Sequence, residues 1–113
     1  WHHIWLSEGF ATYMTAVYME NTYGNEKLKE IMKSARDRVL RYYERTPGPV
    51  IDTTITNLMK LLSANSYQKG AWVLHMLRQV VGDENFWKGI QLFYEQFQNK
   101  NALTESSFIN GCM

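Results

Sequence analysis

Cysteine is almost absent from this chain. Cys112 stands alone among 113 residues, so no internal disulfide can form, and cysteine usage does not reveal the compartment. Proline is scarce as well: the 2 prolines fall together in Thr46-Pro47-Gly48-Pro49, which breaks an otherwise helical pattern. Charge of one sign is lacking. With 12 basic against 11 acidic residues the net charge is +1, which gives no general field for nucleic acid or an anionic membrane. No hydrophobic run approaches the length of a transmembrane helix, and there is no signal-peptide pattern. The motifs of several enzyme classes are also missing: no nucleotide-binding glycine loop, no CxxC pair, no serine elbow and no HExxH. Internal repeats, low-complexity segments, long linkers and credible strand pairs are absent too.

What remains is rich in apolar and aromatic residues, at 45% and 14%, enough for a core of its own. The chain opens at Trp1, inside an aromatic-rich stretch and without an initiator methionine. We therefore expect a fragment of a larger protein, residues 1–113 forming a single helical subdomain.

The pattern predicts an all-α fold, a compact bundle of about five helices with short connections. A first helix is expected over about 7–23, with Ser7 as its cap, Glu8 at its positive end, and Leu6, Phe10, Met14 and Val17 on its apolar face. Gly24 ends it and Asn25 starts the next. A second helix, over about 26–44, has an apolar face at Leu28, Ile31, Met32, Ala35, Val39, Tyr42 and Tyr43. Its basic face, which includes Arg36, Arg38 and Arg41, reads as a solvated surface diluted by Glu26, Glu30, Asp37 and Glu44 rather than as a nucleic-acid interface. Val50-Ile51 is a short extended piece, and Asp52-Thr53-Thr54 offers caps for a short helix carrying Ile55, Leu58, Met59, Leu61 and Leu62. A fourth helix over about 67–81 aligns Ala71, Leu74, Leu77 and Val81. After Gly82, Asp83 is expected to cap a fifth helix that repeats Phe86, Ile90, Phe93 and Phe97. A turn at 99–101 and a further turn capped by Thr104 complete the chain.

Few residues offer chemistry. Glu8 lies in an apolar setting, and a carboxylate is costly to bury unless it pairs, accepts hydrogen bonds or coordinates a metal. On spacing alone its commoner role is an exposed acid stabilising a helix N-terminus. His2 and His3 are adjacent, roughly 100° apart on a helix, and do not make a metal site with Glu8. They read instead as a polar lead-in. Tyr67 stands at the mouth of a helix, where a phenol can donate to an oxyanion, and Gly70 permits close approach of backbone or substrate. Taken alone, Tyr67 is more often a half-buried tyrosine. Thr12, one turn after Glu8, can serve behind a metal ligand or, more commonly, bond its own helix carbonyl. His75 reads as an edge-of-core histidine.

Two motifs resemble one family. Trp1-His2-His3-Ile4-Trp5-Leu6-Ser7-Glu8-Gly9-Phe10-Ala11-Thr12-Tyr13 is similar to the second zinc motif of the M1 metallopeptidases, the gluzincin aminopeptidases. Ser7 replaces the family's more usual Asn. Tyr67-Gln68-Lys69-Gly70-Ala71 resembles that family's Y-x-K-G-x segment. The resemblance spans about residues 1–105. It implies the C-terminal helical half of a thermolysin-like catalytic domain. In that half Glu8 is the third zinc ligand, Tyr67 hydrogen-bonds the tetrahedral intermediate, and Thr12 lies behind the ligand. It further implies that the two histidine ligands, the glutamate base of an HExxH and the segment reading the substrate's amine belong to the parent outside this chain. The expected function is hydrolysis of N-terminal residues from peptides by the zinc-dependent parent. Its partners are the peptide substrate and the rest of the catalytic domain. The isolated chain is expected to be inactive, with zinc absent or weakly bound, and to form a homodimer. Two other readings stay open: a catalytically dead scaffold of the same family and a stand-alone helical interaction module. No compartment is assigned.

Overall fold

A computed structural model describes residues 3–98. Trp1 and His2, the turn at 99–101, the turn capped by Thr104, and Cys112 lie outside the described residues. Within them the chain is all-α: helices α1 (Ile4–Tyr23), α2 (Asn25–Tyr43), α3 (Leu58–Leu61), α4 (Gly70–Val81) and α5 (Asp83–Phe97), with a π-helical turn at Asn65–Lys69 just ahead of α4. No strand occurs among the described residues. The chain's contacts divide it into two units after Leu74.

In the first unit α1 and α2 pack on each other, and the π turn packs on both. The helices meet at Gly24, whose φ of 94° takes the left-handed backbone that glycine alone enters at little cost. Trp5, Leu6, Tyr13, Ala16 and Val17 of α1, Leu28, Met32 and Ala35 of α2, and Ala71 and Leu74 of α4 are buried. Two expectations for α1 need correction. The helix begins at Ile4, so Ser7 is not its cap and Glu8 does not sit at its positive end; the N-cap position is His3, without a side-chain cap bond. Of the expected apolar face Leu6 and Val17 are buried, but Phe10 and Met14 are only half-buried, and the buried side takes in Trp5, Gly9, Tyr13 and Ala16 instead. A glycine at position 9 lets another backbone come against that side, and this turns the helix away from the face that the large side chains alone suggest.

The 46–49 loop is tied down by the π turn. Lys69 Nζ donates to the Gly48 carbonyl at 2.6 Å and lies 5.5 Å from the centre of the Tyr43 ring; Asn65 Nδ2 donates to the Pro49 carbonyl at 3.4 Å. Asp52 and Thr54 bond each other and do not cap α3. That cap is Asn57, whose side chain accepts from the Met59 N–H at 2.9 Å. Trp72 Nε1 donates to the Met32 carbonyl at 2.9 Å, joining the start of α4 to α2.

In the second unit Gly82, with φ of 81°, is the N-cap of α5, so Asp83 is the first helical residue and does not cap. Its carboxylate instead accepts two bonds from Arg78, Nε to Oδ1 at 2.8 Å and NH2 to Oδ2 at 3.0 Å. Arg78 is only 7% exposed and lies 5.5 Å from the centre of the Trp87 ring. The Asp83 side chain is 66% exposed, so water screens part of this pair. Phe86 is fully buried and meets Trp87 edge-on, and Phe93 and Phe97 stack along the same helix.

The bond from Arg78 holds the Asp83 carboxyl below its ordinary value of 3.8. A folded-state pKa that is lowered contributes stability above the unfolded value, and loses it as pH falls through the folded one. Asp83→Asn is therefore expected to lower the thermal midpoint at neutral pH. The gap from wild type should close as pH drops below 3.8. Melting curves across pH measure this; a gap that stays constant into acid removes the ion pair from the stability of α5.

Candidate active site

The site rests on one backbone crossing. A Cβ placed on Gly9 would stand 2.8 Å from the Gly70 carbonyl carbon, and one on Gly70 would stand 2.8 Å from the Trp5 carbonyl oxygen and 3.0 Å from Gly9 Cα. The two distances of 2.8 Å are shorter than side chains tolerate, so the first half of α1 and the start of α4 touch backbone to backbone. Gly70 was expected to admit a close approach of backbone or substrate; the approaching group is the backbone of α1.

This crossing brings Glu8, next to Gly9, up to Tyr67 in the π turn. Desolvation pushes the Tyr67 phenol above its ordinary value of 10.0, and the Glu8 carboxylate pushes it further through its charge and through the hydrogen bond it accepts. Tyr67 is thus held protonated, as a donor, against a carboxylate. Both residues are half-buried. Thr12 is half-buried one turn along, but its hydroxyl donates to the Glu8 carbonyl oxygen at 2.8 Å and not to the carboxylate. His3, exposed, precedes α1, and His75 is half-buried in α4. Among the described residues no group of three His, Cys, Asp or Glu side chains is placed to hold a metal ion.

Several participants were not visible in the sequence. Gly9 was read only as a neighbour of Glu8. Lys69, next to Gln68 in the π turn, holds the 46–49 loop; loss of water around it lowers its pKa below 10.5. The signal for Lys69 was its place in the motif, between Tyr67 and Gly70.

The model of the peptidase family M1 domain matches residues 1–110. The chain belongs to peptidase family M1. It is 31% identical to endoplasmic reticulum aminopeptidase 2 of Homo sapiens over 119 aligned residues, which cover 100% of this chain and 12% of that protein. It is 31% identical to glutamyl aminopeptidase of Homo sapiens, covering 92% of this chain and 11% of that protein. With the probable aminopeptidase 2 of Sulfurisphaera tokodaii it shares 32%, covering 97% of this chain and 14% of that protein. The M1 chain thus spans no more than about one-seventh of the length of these relatives. No solved structure gives a significant match.

Gly9→Ala and Gly70→Ala each force a methyl group into backbone, and each is expected to cost about 1–3 kcal/mol of stability. Gly48, whose added Cβ would meet nothing nearer than 3.8 Å, serves as the control. Gly48→Ala is expected to stay within about 0.5 kcal/mol of wild type. Denaturant titration of the three variants decides; equal stability for all three removes the crossing as a constraint.

Proposed function

We propose that this M1 chain is part of the catalytic centre of a zinc aminopeptidase, contributing Glu8 as a zinc ligand and Tyr67 as the donor to the oxyanion. The observation that carries the proposal is the meeting of Glu8 and Tyr67 across the Gly9–Gly70 crossing, in a chain of a peptidase family whose relatives are named aminopeptidases.

The donors fit a shared metal site. Catalytic zinc takes three protein ligands and leaves a position open. One carboxylate with no second or third ligand beside it among the described residues suits one share of such a set, the rest coming from the remainder of the catalytic domain. When bound, zinc polarises the peptide carbonyl and lowers the pKa of a water. Glu8 would hold it from α1, an element fixed by the glycine crossing. Tyr67 binds the scissile carbonyl oxygen and strengthens that hydrogen bond as the oxygen gains charge, which favours the transition state over the ground state. Its raised pKa keeps the proton on the phenol throughout the neutral range, so the donor is present at working pH. Thr12, bonded to the Glu8 carbonyl, steadies the turn that carries the ligand.

By the same reading the isolated 113-residue chain hydrolyses no peptide and binds zinc weakly. Exposed apolar side chains such as Met59 and Val80, 73% and 80% accessible, favour its self-association as a dimer, for which light scattering gives the mass.

In the intact protein, Glu8→Ala is expected to strip the metal, read as zinc content, and with it activity. Tyr67→Phe is expected to keep the metal and lower kcat by about a hundredfold, the usual cost of one oxyanion donor. Full zinc content in Glu8→Ala refutes the ligand, and unchanged kcat in Tyr67→Phe removes the phenol from the reaction. An intact wild-type protein that carries zinc and cleaves no peptide points to a scaffold.

A further inference from the structure

Tyr67 also borders a feature that the metal ligand does not explain. It lines an open cleft of about 540 Å³ together with Arg38 and Arg41 of α2, Arg45 just beyond that helix, Ser63 and Gln68. Arg38 and Arg41, three residues apart, share one side of the helix, and Arg45 follows two residues past its end. No acid lines this cleft. None of the three guanidiniums makes an ion pair among the described residues, and the nearby Glu30 is taken by Lys27 at 2.9 Å. A second cleft of about 400 Å³ shares Arg38, Arg41 and Gln68, and reaches Thr12. Arg38 and Arg41 therefore border both Tyr67 and the helix face that carries Glu8.

Arg38, Arg41 and Arg45 are exposed, so water screens their mutual repulsion in part, and an anion held in the cleft is attracted by all three. A guanidinium presents a planar fork of donors that matches a carboxylate. A peptide whose scissile carbonyl lies at Tyr67 runs on past it, and its negative charges are its terminal carboxylate and its acidic side chains. We infer that the Arg38–Arg41–Arg45 cleft is a carboxylate subsite, selecting peptides that carry a carboxylate a few residues beyond the bond to be cut. The inference rests on the aminopeptidase reading of Tyr67.

The test uses the intact protein with its metal and three short peptides of one sequence: free C-terminal acid, C-terminal amide, and amide with a glutamate in the last position. The expected result is a kcat/KM about tenfold higher for the two carboxylate-bearing peptides than for the neutral amide. The ratio should shrink as salt rises, and should fall towards unity in Arg38→Gln/Arg41→Gln. Preference for the free acid alone assigns the terminal carboxylate; preference for both assigns any carboxylate in reach. Equal rates in wild type overturn the subsite while leaving the aminopeptidase standing. A preference that survives both salt and the double substitution also overturns it. If that variant fails to fold, Arg45→Gln and the salt series on wild type decide. No cleavage of any of the three peptides removes the aminopeptidase reading and the subsite with it.

Discussion

The contact between Gly9 and Gly70 sets the terms for the rest of the first unit. Two backbones meet with no side chain between them, and the Trp5 carbonyl oxygen closes the gap from the other side. Helix pairs that approach this closely have little freedom to slide or rotate, because any shift drives backbone into backbone. Glu8 and Tyr67 inherit that rigidity, one residue and three residues from the contact. The crossing also fixes which stripe of α1 is buried. Trp5, Tyr13 and Ala16 flank the line through Gly9 and are buried, whereas Phe10 and Met14 fall to the side. The side chains of this helix are arranged around its smallest residue.

The π turn multiplies the effect. Wider turns of this kind place successive side chains at angles that an α-helix does not reach, and they recur at functional sites. Between Asn65 and Trp72, neighbouring residues are sent to separate tasks: Asn65 and Lys69 to the 46–49 loop, Tyr67 to Glu8, Gly70 to Gly9, Trp72 to the Met32 carbonyl. Lys69 gives up hydration for this, as its lowered pKa records, and recovers a carbonyl and the face of Tyr43. A segment of eight residues therefore binds a loop, a helix and the site together.

Much of this was legible in the sequence, and the parts that were not each have a physical cause. The all-α fold and the stops at Gly24 and Gly82 follow from local patterns, since apolar periodicity and a positive-φ glycine are properties of short windows. Membership of peptidase family M1 was legible from the two motifs. The start of α1 was missed because His3 provides no side-chain cap, leaving Ser7 as the nearest conventional signal three residues inside the helix. The burial of Arg78 was missed because a charged residue reads as exposed until an acid such as Asp83 is brought to it through space. The stripe of Arg38 and Arg41 read as a solvated face; its cleft exists only once Ser63, Tyr67 and Gln68 are folded against α2. The arginine cleft depends on residues distant in sequence, whereas the start of α1 and the Arg78–Asp83 pair turn on local geometry that apolar periodicity does not report.

The same reasoning bears on Glu8. Placed at a helix start, it would have been accounted for by the dipole, with no partner required. Placed at the fifth position of α1, beyond the turn where free N–H groups gather, it has no such account. Its neighbour Thr12 spends its hydroxyl on the helix carbonyl. The carboxylate accepts from the Tyr67 phenol, and an ionised carboxylate offers about four acceptor positions. A half-buried acid held beside the crossing, with acceptor positions beyond the one that Tyr67 fills, is compatible with the zinc ligation proposed above. That is a stronger ground for the metal reading than the acid's apolar flanks, because it follows from where the helix begins and which side chain faces the carboxylate.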